Sequence, residues 1–238
     1  MYNFEAVRKY FFVVIMALGL SGCSPKATIE LSNDNESMTT TKTYLALGDS
    51  YTIGTSIAFP DNFPNQLADS VLVNLDINLE VKVVAQNGWR TDDLQRGIKR
   101  IDLDDKYDLV SLLIGVNNQY QGLPLADFEK DYRSLIDTAI KYAGGDTNHV
   151  FVISIPNYGY TPFGSAKREE ITADLEVFNR LSQQICEEQG IDFYNVTDIS
   201  LAAATREDYL ASDNLHPSKE QYADWVSSFL ARVIDKLQ

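Results

Sequence analysis

Three short segments of this 238-residue chain are almost unbroken apolar runs: Tyr44-Leu45-Ala46-Leu47, Leu109-Val110-Ser111-Leu112-Leu113-Ile114 and Val150-Phe151-Val152-Ile153-Ser154-Ile155. Each has the length of a strand, and a strand without polar alternation must be covered on both faces. Helix-length segments separate the runs, so the cover comes from helices on either side of a sheet. The pattern predicts strands over 43–48, 79–86, 108–114, 149–155 and 191–196, and helices near 63–75, 91–101, 125–143, 167–189 and 217–237. Thr91-Asp92-Asp93 reads as a cap followed by acidic first-turn residues, and Leu135, Ala139 and Tyr142 mark an apolar stripe.

Alternation of these lengths implies a doubly wound, flavodoxin-like three-layer α/β/α sandwich of about five parallel strands, with the three apolar runs in its middle. A ligand site in such a sheet lies at the carboxyl ends of the strands. Ser50 falls there, in the turn Gly48-Asp49-Ser50-Tyr51 after the first strand. A serine hydroxyl is a poor nucleophile until an imidazole takes its proton and a carboxylate orients that imidazole. One of the two histidines in the chain, His216, follows Asp213 by three residues in Asp213-Asn214-Leu215-His216-Pro217. Two further strand ends carry Gly88, in Ala85-Gln86-Asn87-Gly88-Trp89, and Asn117, in Gly115-Val116-Asn117-Asn118. The backbone N–H groups of Ser50 and Gly88 with the Asn117 side chain make three donors for an oxyanion. Taken singly, each block has a plainer reading: Asp49-Ser50 a helix cap, Gly88 a turn glycine, and Pro217 the first residue of a helix.

Together the blocks resemble the SGNH (GDSL-type) hydrolase superfamily of esterases and lipases, over about residues 43–237. The resemblance implies catalytic residues Ser50, Asp213 and His216, an oxyanion hole of Ser50, Gly88 and Asn117, and no metal or organic cofactor. Tyr51 stands where the family name has Leu, and Asn118 where many members carry Asp; neither position supplies a catalytic atom in the family scheme. Thr52 in place of a glycine argues against the G-x-S-x-G elbow of ordinary α/β-hydrolases.

Arg8 and Lys9 precede the apolar run Phe11–Leu20, which is shorter than the roughly 20 residues of a spanning helix and of signal-peptide length. An ordinary secretory peptide with an incidental Cys23, or a short core segment, is the alternative reading, but Leu20-Ser21-Gly22-Cys23 resembles a bacterial lipobox, which implies a signal peptide over 1–22 and acylation of Cys23. The protein is then exported and anchored to the lipid bilayer without crossing it. Residues 24–42 are polar and without periodicity, as a solvated tether is, which puts the hydrolase domain at 43–238. Cys186 is left without a disulfide partner and reads as a buried thiol. Net charge of −14 disfavours nucleic acid as a partner.

With two His and two Cys a zinc site has few ligands, and Asp102-Leu103-Asp104-Asp105 lacks the glycine and final glutamate of a calcium loop. His149 reads as a surface residue without a partner. The expected activity is hydrolysis of short-chain carboxylic esters, glycan O-acetyl groups among them, because the segments between motifs leave little room for a large lid. Aromatic residues of the 156–164 loop either rim the site or pack the long loop itself. A lysophospholipase or thioesterase, an acyltransferase, and a non-catalytic surface-binding lipoprotein are the alternatives.

Overall fold

The computed structural model describes residues 39–238. The expected signal peptide, Cys23 and all of the expected tether before Thr39 lie outside the described residues. Five strands, β1 (Thr40–Gly48), β2 (Ile77–Ala85), β3 (Leu109–Leu113), β4 (Val150–Ile153) and β5 (Asp192–Tyr194), form one parallel sheet in the order β2-β1-β3-β4-β5. The three apolar runs are its middle strands; β3 and β4 are buried along their whole length, and β1 from Tyr44 onward. β2 sits at an edge, where Glu80 and Lys82 point to solvent and discourage further strand pairing.

β1 begins at Thr40, earlier than the apolar pattern indicates, because Thr40–Lys42 extend the ladder against Ile77–Leu79. Residues 40–42 therefore belong to the sheet and not to the tether. Their polar side chains are largely exposed, so hydropathy carries no trace of the pairing.

The long helices are α2 (Phe63–Leu75), α3 (Thr91–Ile98), α5 (Leu125–Tyr142), α6 (Arg168–Gln189) and α8 (Lys219–Leu237), with single-turn helices α1 (Ser50–Ile53), α4 (Val116–Tyr120) and α7 (Thr197–Ser200) between them. α2 packs on α8, while α3, α5 and α6 pack in series. Hydrophobic periodicity needs more than one turn to register, which is why α1, α4 and α7 are invisible to it. Two helix starts differ from expectation. Pro217 precedes α8 and pairs with Leu210; Ser218 is the cap, its hydroxyl accepting from the Gln221 N–H at 3.2 Å. Thr91 is the first residue of α3 rather than its cap, because its hydroxyl has another partner, Asn118.

Aromatic rings fill the core beneath the sheet. Phe151 packs against Tyr44, Tyr194 and Phe229 at centroid distances of 6.2, 5.4 and 5.8 Å. The buried Tyr44 hydroxyl is satisfied by Ser111 Oγ at 2.7 Å, so two polar groups enter the middle strands without being left unpaired. Cys186 is fully buried, and burial pushes its thiol up to about 12. His149 does have partners: its Nδ1 lies 2.8 Å from the Asp108 carbonyl and its Nε2 3.7 Å from Asp146.

Gly48, the last residue of β1, is required by close approach. A Cβ there would lie 2.1 Å from Thr52 Oγ1 and 2.4 Å from the Leu113 carbonyl oxygen. Backbone on the neighbouring strand cannot swing aside as a side chain can. Gly48→Ala is expected to cost about 1–3 kcal/mol in urea unfolding, the range for overpacking a core.

Candidate active site

Pairing of β1 with both neighbours sets the site. In the two ladders Gly48 lies opposite Ala85 of β2 and opposite Leu113 of β3. Three chains thus leave the sheet at the same level, with the Ser50 turn in the middle, the Gly88 loop on one side and the Asn117 loop on the other. The strand order reverses at β1, which makes this the switch point where open α/β sheets bind ligands.

The Ser50 turn is a tight, buried corner. Asp49 caps α1 by accepting the Tyr51 N–H at 3.0 Å, and Ser50 is the first helical residue, whose N–H has no partner within the helix. The cap and nucleophile readings of Asp49-Ser50 are therefore compatible. Asp49 is fully buried, its Oδ2 has no hydrogen-bond partner among the described residues, and burial raises its carboxyl to about 7 against the pull of the Tyr51 and Gly115 N–H groups. Behind it, Tyr51 presents its ring to the His216 imidazole at 5.6 Å, and its carbonyl accepts from Tyr222 of α8 at 2.8 Å. The Tyr at this position thus packs against the imidazole and ties the turn to α8.

The flanking loops are tied together. Asn117 Nδ2 donates one hydrogen to the Trp89 carbonyl at 2.9 Å, which leaves its second amide hydrogen free. The neighbouring Asn118 is buried and grips Thr91 twice: its Oδ1 accepts the Thr91 N–H at 3.1 Å, and its Nδ2 donates to Thr91 Oγ1 at 2.8 Å. Gly88 adopts φ +81°, a left-handed conformation that L side chains rarely take.

The loop carrying Asp213 and His216 is held by an antiparallel bridge, with Ala211 donating to the His216 carbonyl at 2.8 Å and Ser218 to the Tyr209 carbonyl at 3.0 Å. His216 Nδ1 lies 2.6 Å from Asp213 Oδ2, and Asp213 Oδ1 accepts the N–H groups of Leu215 and His216 at 3.0 and 2.9 Å. Burial pushes the Asp213 carboxyl up, but hydrogen bonds from Ser56, His216 and these N–H groups outweigh it and bring it down to about 2.

Ser50, Asn117 and His216 line one cavity of about 150 Å³, together with Tyr51, Asn87, Val116, Tyr120, Tyr158, Phe163 and Leu215. Among the described residues no hydrogen bond joins Ser50 Oγ to the imidazole. Gly88 is adjacent in chain to Asn87 and is not itself part of the lining. Of the aromatics expected from the 156–164 loop, Tyr158 and Phe163 rim the cavity, whereas Tyr160 packs under the Arg168 guanidinium. Tyr120 was not foreseen; its position one turn after Asn117 in α4 is the signal that marks it. Among the described residues no cluster of three or more His, Cys, Asp or Glu is placed to hold a metal ion, and no helix is long and apolar enough to cross a membrane.

Ser56 was also missed. Its Oγ donates to Asp213 Oδ2 at 2.6 Å, and its backbone sits at φ +69°, a conformation uncommon outside glycine. Nothing local in Thr55-Ser56-Ile57 announces a partner 157 residues away. Because folding depresses the Asp213 pKa, its charged form stabilises the fold above the ordinary carboxylate range, and that contribution is lost as pH falls through about 2. Ser56→Ala is expected to move the Asp213 midpoint upward in a carboxyl NMR titration. It should also cost roughly 0.5–1 kcal/mol at pH 7 in urea unfolding, given the exposure of the pair, with parent and variant converging toward the acid end.

A family model described as GDSL-like lipase/acylhydrolase matches residues 46–223, the segment that carries all of these loops. No curated protein matches the sequence. Among solved structures the chain is similar to TesA, at 15% identity and a TM-score of 0.64 over 82% of this chain and 100% of that one. It is also similar to a psychrotrophic esterase from Pseudoalteromonas sp. solved with monoethylphosphonate as inhibitor, at 17% identity and a TM-score of 0.62 over 82% and 99%. A variant of an acetyl xylan esterase from Geobacillus stearothermophilus matches at 20% identity and a TM-score of 0.62 over 81% and 94%. At these identities the structures speak to the fold; the family model speaks to descent, and by it the chain belongs to the GDSL-like lipase/acylhydrolase family of hydrolases.

Proposed function

We propose that this hydrolase is a serine esterase acting on short-chain carboxylic esters through an acyl-enzyme, with Ser50 as nucleophile, His216 as general base and Asp213 as its partner. The observation that carries the reading is the shared cavity: Ser50 and His216 both line it, and Nδ1 of the imidazole is bound to Asp213 at 2.6 Å, which leaves Nε2 for the serine proton. A carboxyl held near 2 is charged at any working pH, so it orients the imidazole and stabilises the imidazolium.

In the first step His216 Nε2 takes the Ser50 proton as Oγ bonds to the ester carbonyl carbon, and the carbonyl π pair moves onto oxygen. That oxyanion is met by the Ser50 and Gly88 N–H groups and the free Asn117 amide hydrogen. Collapse breaks the bond to the alcohol oxygen, which leaves with the proton from His216. Water then attacks the acyl-enzyme, giving its proton to His216, and Ser50 departs protonated. The first transfer needs the hydroxyl and imidazole within about 2.6–3.2 Å, an approach that free enzymes commonly leave to the substrate complex.

Short acyl groups suit the cavity, since about 150 Å³ is the volume that holds a benzene-sized guest. O-acetyl groups of glycans are the substrates we favour, a reading supported by the likeness to an acetyl xylan esterase. We also propose that the chain acts at a bacterial membrane, tethered by acylated Cys23; this rests on the apolar run Phe11–Leu20 behind Arg8 and Lys9 and on Leu20-Ser21-Gly22-Cys23. Release of the protein from membranes by Cys23→Ser would support it, and unchanged retention would oppose it.

Ser50→Ala is expected to abolish hydrolysis of p-nitrophenyl acetate and labelling by a fluorophosphonate probe; turnover at the parental rate would sink the reading. Asn117→Ala is expected to lower kcat about a hundred- to a thousand-fold, as loss of one oxyanion donor does.

A further inference from the structure

The cavity holding Ser50 has a neighbour. A cleft of about 550 Å³ opens beside it, lined by Gln119, Gly122, Gly164, Lys167, Glu170, Ile171 and Asp174, and the two spaces have Tyr120, Tyr158 and Phe163 in common. We propose that this cleft binds the alcohol half of the ester, and that the alcohol is an uncharged sugar. The proposal rests on the esterase reading above and extends it to the residues that select the substrate.

Size separates the two spaces. The cavity at Ser50 is small, about 150 Å³, and open on one side, so a bulky alcohol half of the ester lies largely outside it. The cleft is within the range of small-molecule sites and is reached across the three rings that both spaces share. Those rings are held as a set: Tyr120 lies 6.3 Å from Tyr158 and 6.0 Å from Phe163, and Tyr158 lies 6.3 Å from Phe163. Tyr120 and Phe163 nevertheless remain 59% and 53% exposed. Exposed neighbouring rings at the mouth of a site offer apolar faces to a ligand.

The chemistry of the remaining lining discriminates among alcohols. Gln119 is buried and fixed at both ends, its Oε1 accepting from the Tyr158 hydroxyl at 2.8 Å and its Nε2 donating to Asp174 Oδ2 at 3.0 Å. Asp174 therefore stands in a set position with acceptor capacity to spare, suited to the hydroxyl donors of a sugar. A phosphate headgroup is disfavoured, because Glu170 and Asp174 face it and the one cation, Lys167, already lies 3.4 Å from Glu170. A long acyl chain is disfavoured as well: laid along this cleft it would strip water from Lys167, Glu170 and Asp174, with Ala166 and Ile171 the aliphatic residues of the wall. Rings for the sugar faces and carboxylates for its hydroxyls remain as the matching combination.

Binding and turnover test this separately. In the Ser50→Ala protein, calorimetric titration with acetylated cellobiose is expected to show saturable binding, weakened about tenfold or more by the further change Asp174→Ala. In the active enzyme, the ratio of kcat/KM on acetylated cellobiose to that on p-nitrophenyl acetate is expected to fall about tenfold or more in Asp174→Ala and in Phe163→Ala, chiefly through KM. Absence of sugar binding, an unchanged ratio, or a preference for lysophosphatidylcholine or p-nitrophenyl octanoate over sugar acetates would overturn the assignment. Sugar binding without hydrolysis of any ester would instead indict the esterase reading and leave the sugar site standing.

Discussion

Everything at this site depends on the pairing of β1 with both β2 and β3 at one level. The alignment of Gly48 with Ala85 and with Leu113 is what brings residues 50, 88 and 117 to one edge. Burial holds that alignment in place. Leu45, Ala46 and Leu47 are fully inaccessible, and a slip of one residue would exchange the faces of every side chain on the strand. The missing side chain at Gly48 lets Thr52 and the end of β3 close over the corner, so the Ser50 turn is packed from behind before any ligand is considered.

Two aspartates near Ser50 show how environment divides the work of one side-chain type. Asp49 is sealed in the interior, where burial outweighs the N–H groups facing it and raises its carboxyl to about 7. Asp213 lies partly open and receives hydrogen bonds from Ser56, from the imidazole and from two backbone N–H groups, which keep it charged. The first closes a helix turn. The second supplies a fixed negative charge behind His216.

Much of this was legible in the residues themselves. Unbroken apolar runs marked the middle strands, and Ser50, Gly88, Asn117, Asp213 and His216 stood out as chemistry placed at strand ends and in the last loop. What escaped the reading shares one character: its meaning comes from a partner far away in the chain. Ser56 matters through Asp213, Thr91 through Asn118, and Thr40–Lys42 through Ile77–Leu79. Pro217 misled for a related reason, since a proline suited to open a helix was instead used to bridge Leu210 and hold the His216 loop.

The linear sequence by itself determined the fold class and the residues available for acyl chemistry, because strand burial and motif spacing are local properties of the polymer. Tertiary structure alone decided that Tyr120 joins Tyr158 and Phe163 in one wall, that Ser56 and His216 share a single oxygen of Asp213, and that a second cleft adjoins the first. Those are distances across the sheet ends. They exist only after five strands have packed in register and brought loops from separate parts of the chain within hydrogen-bonding reach.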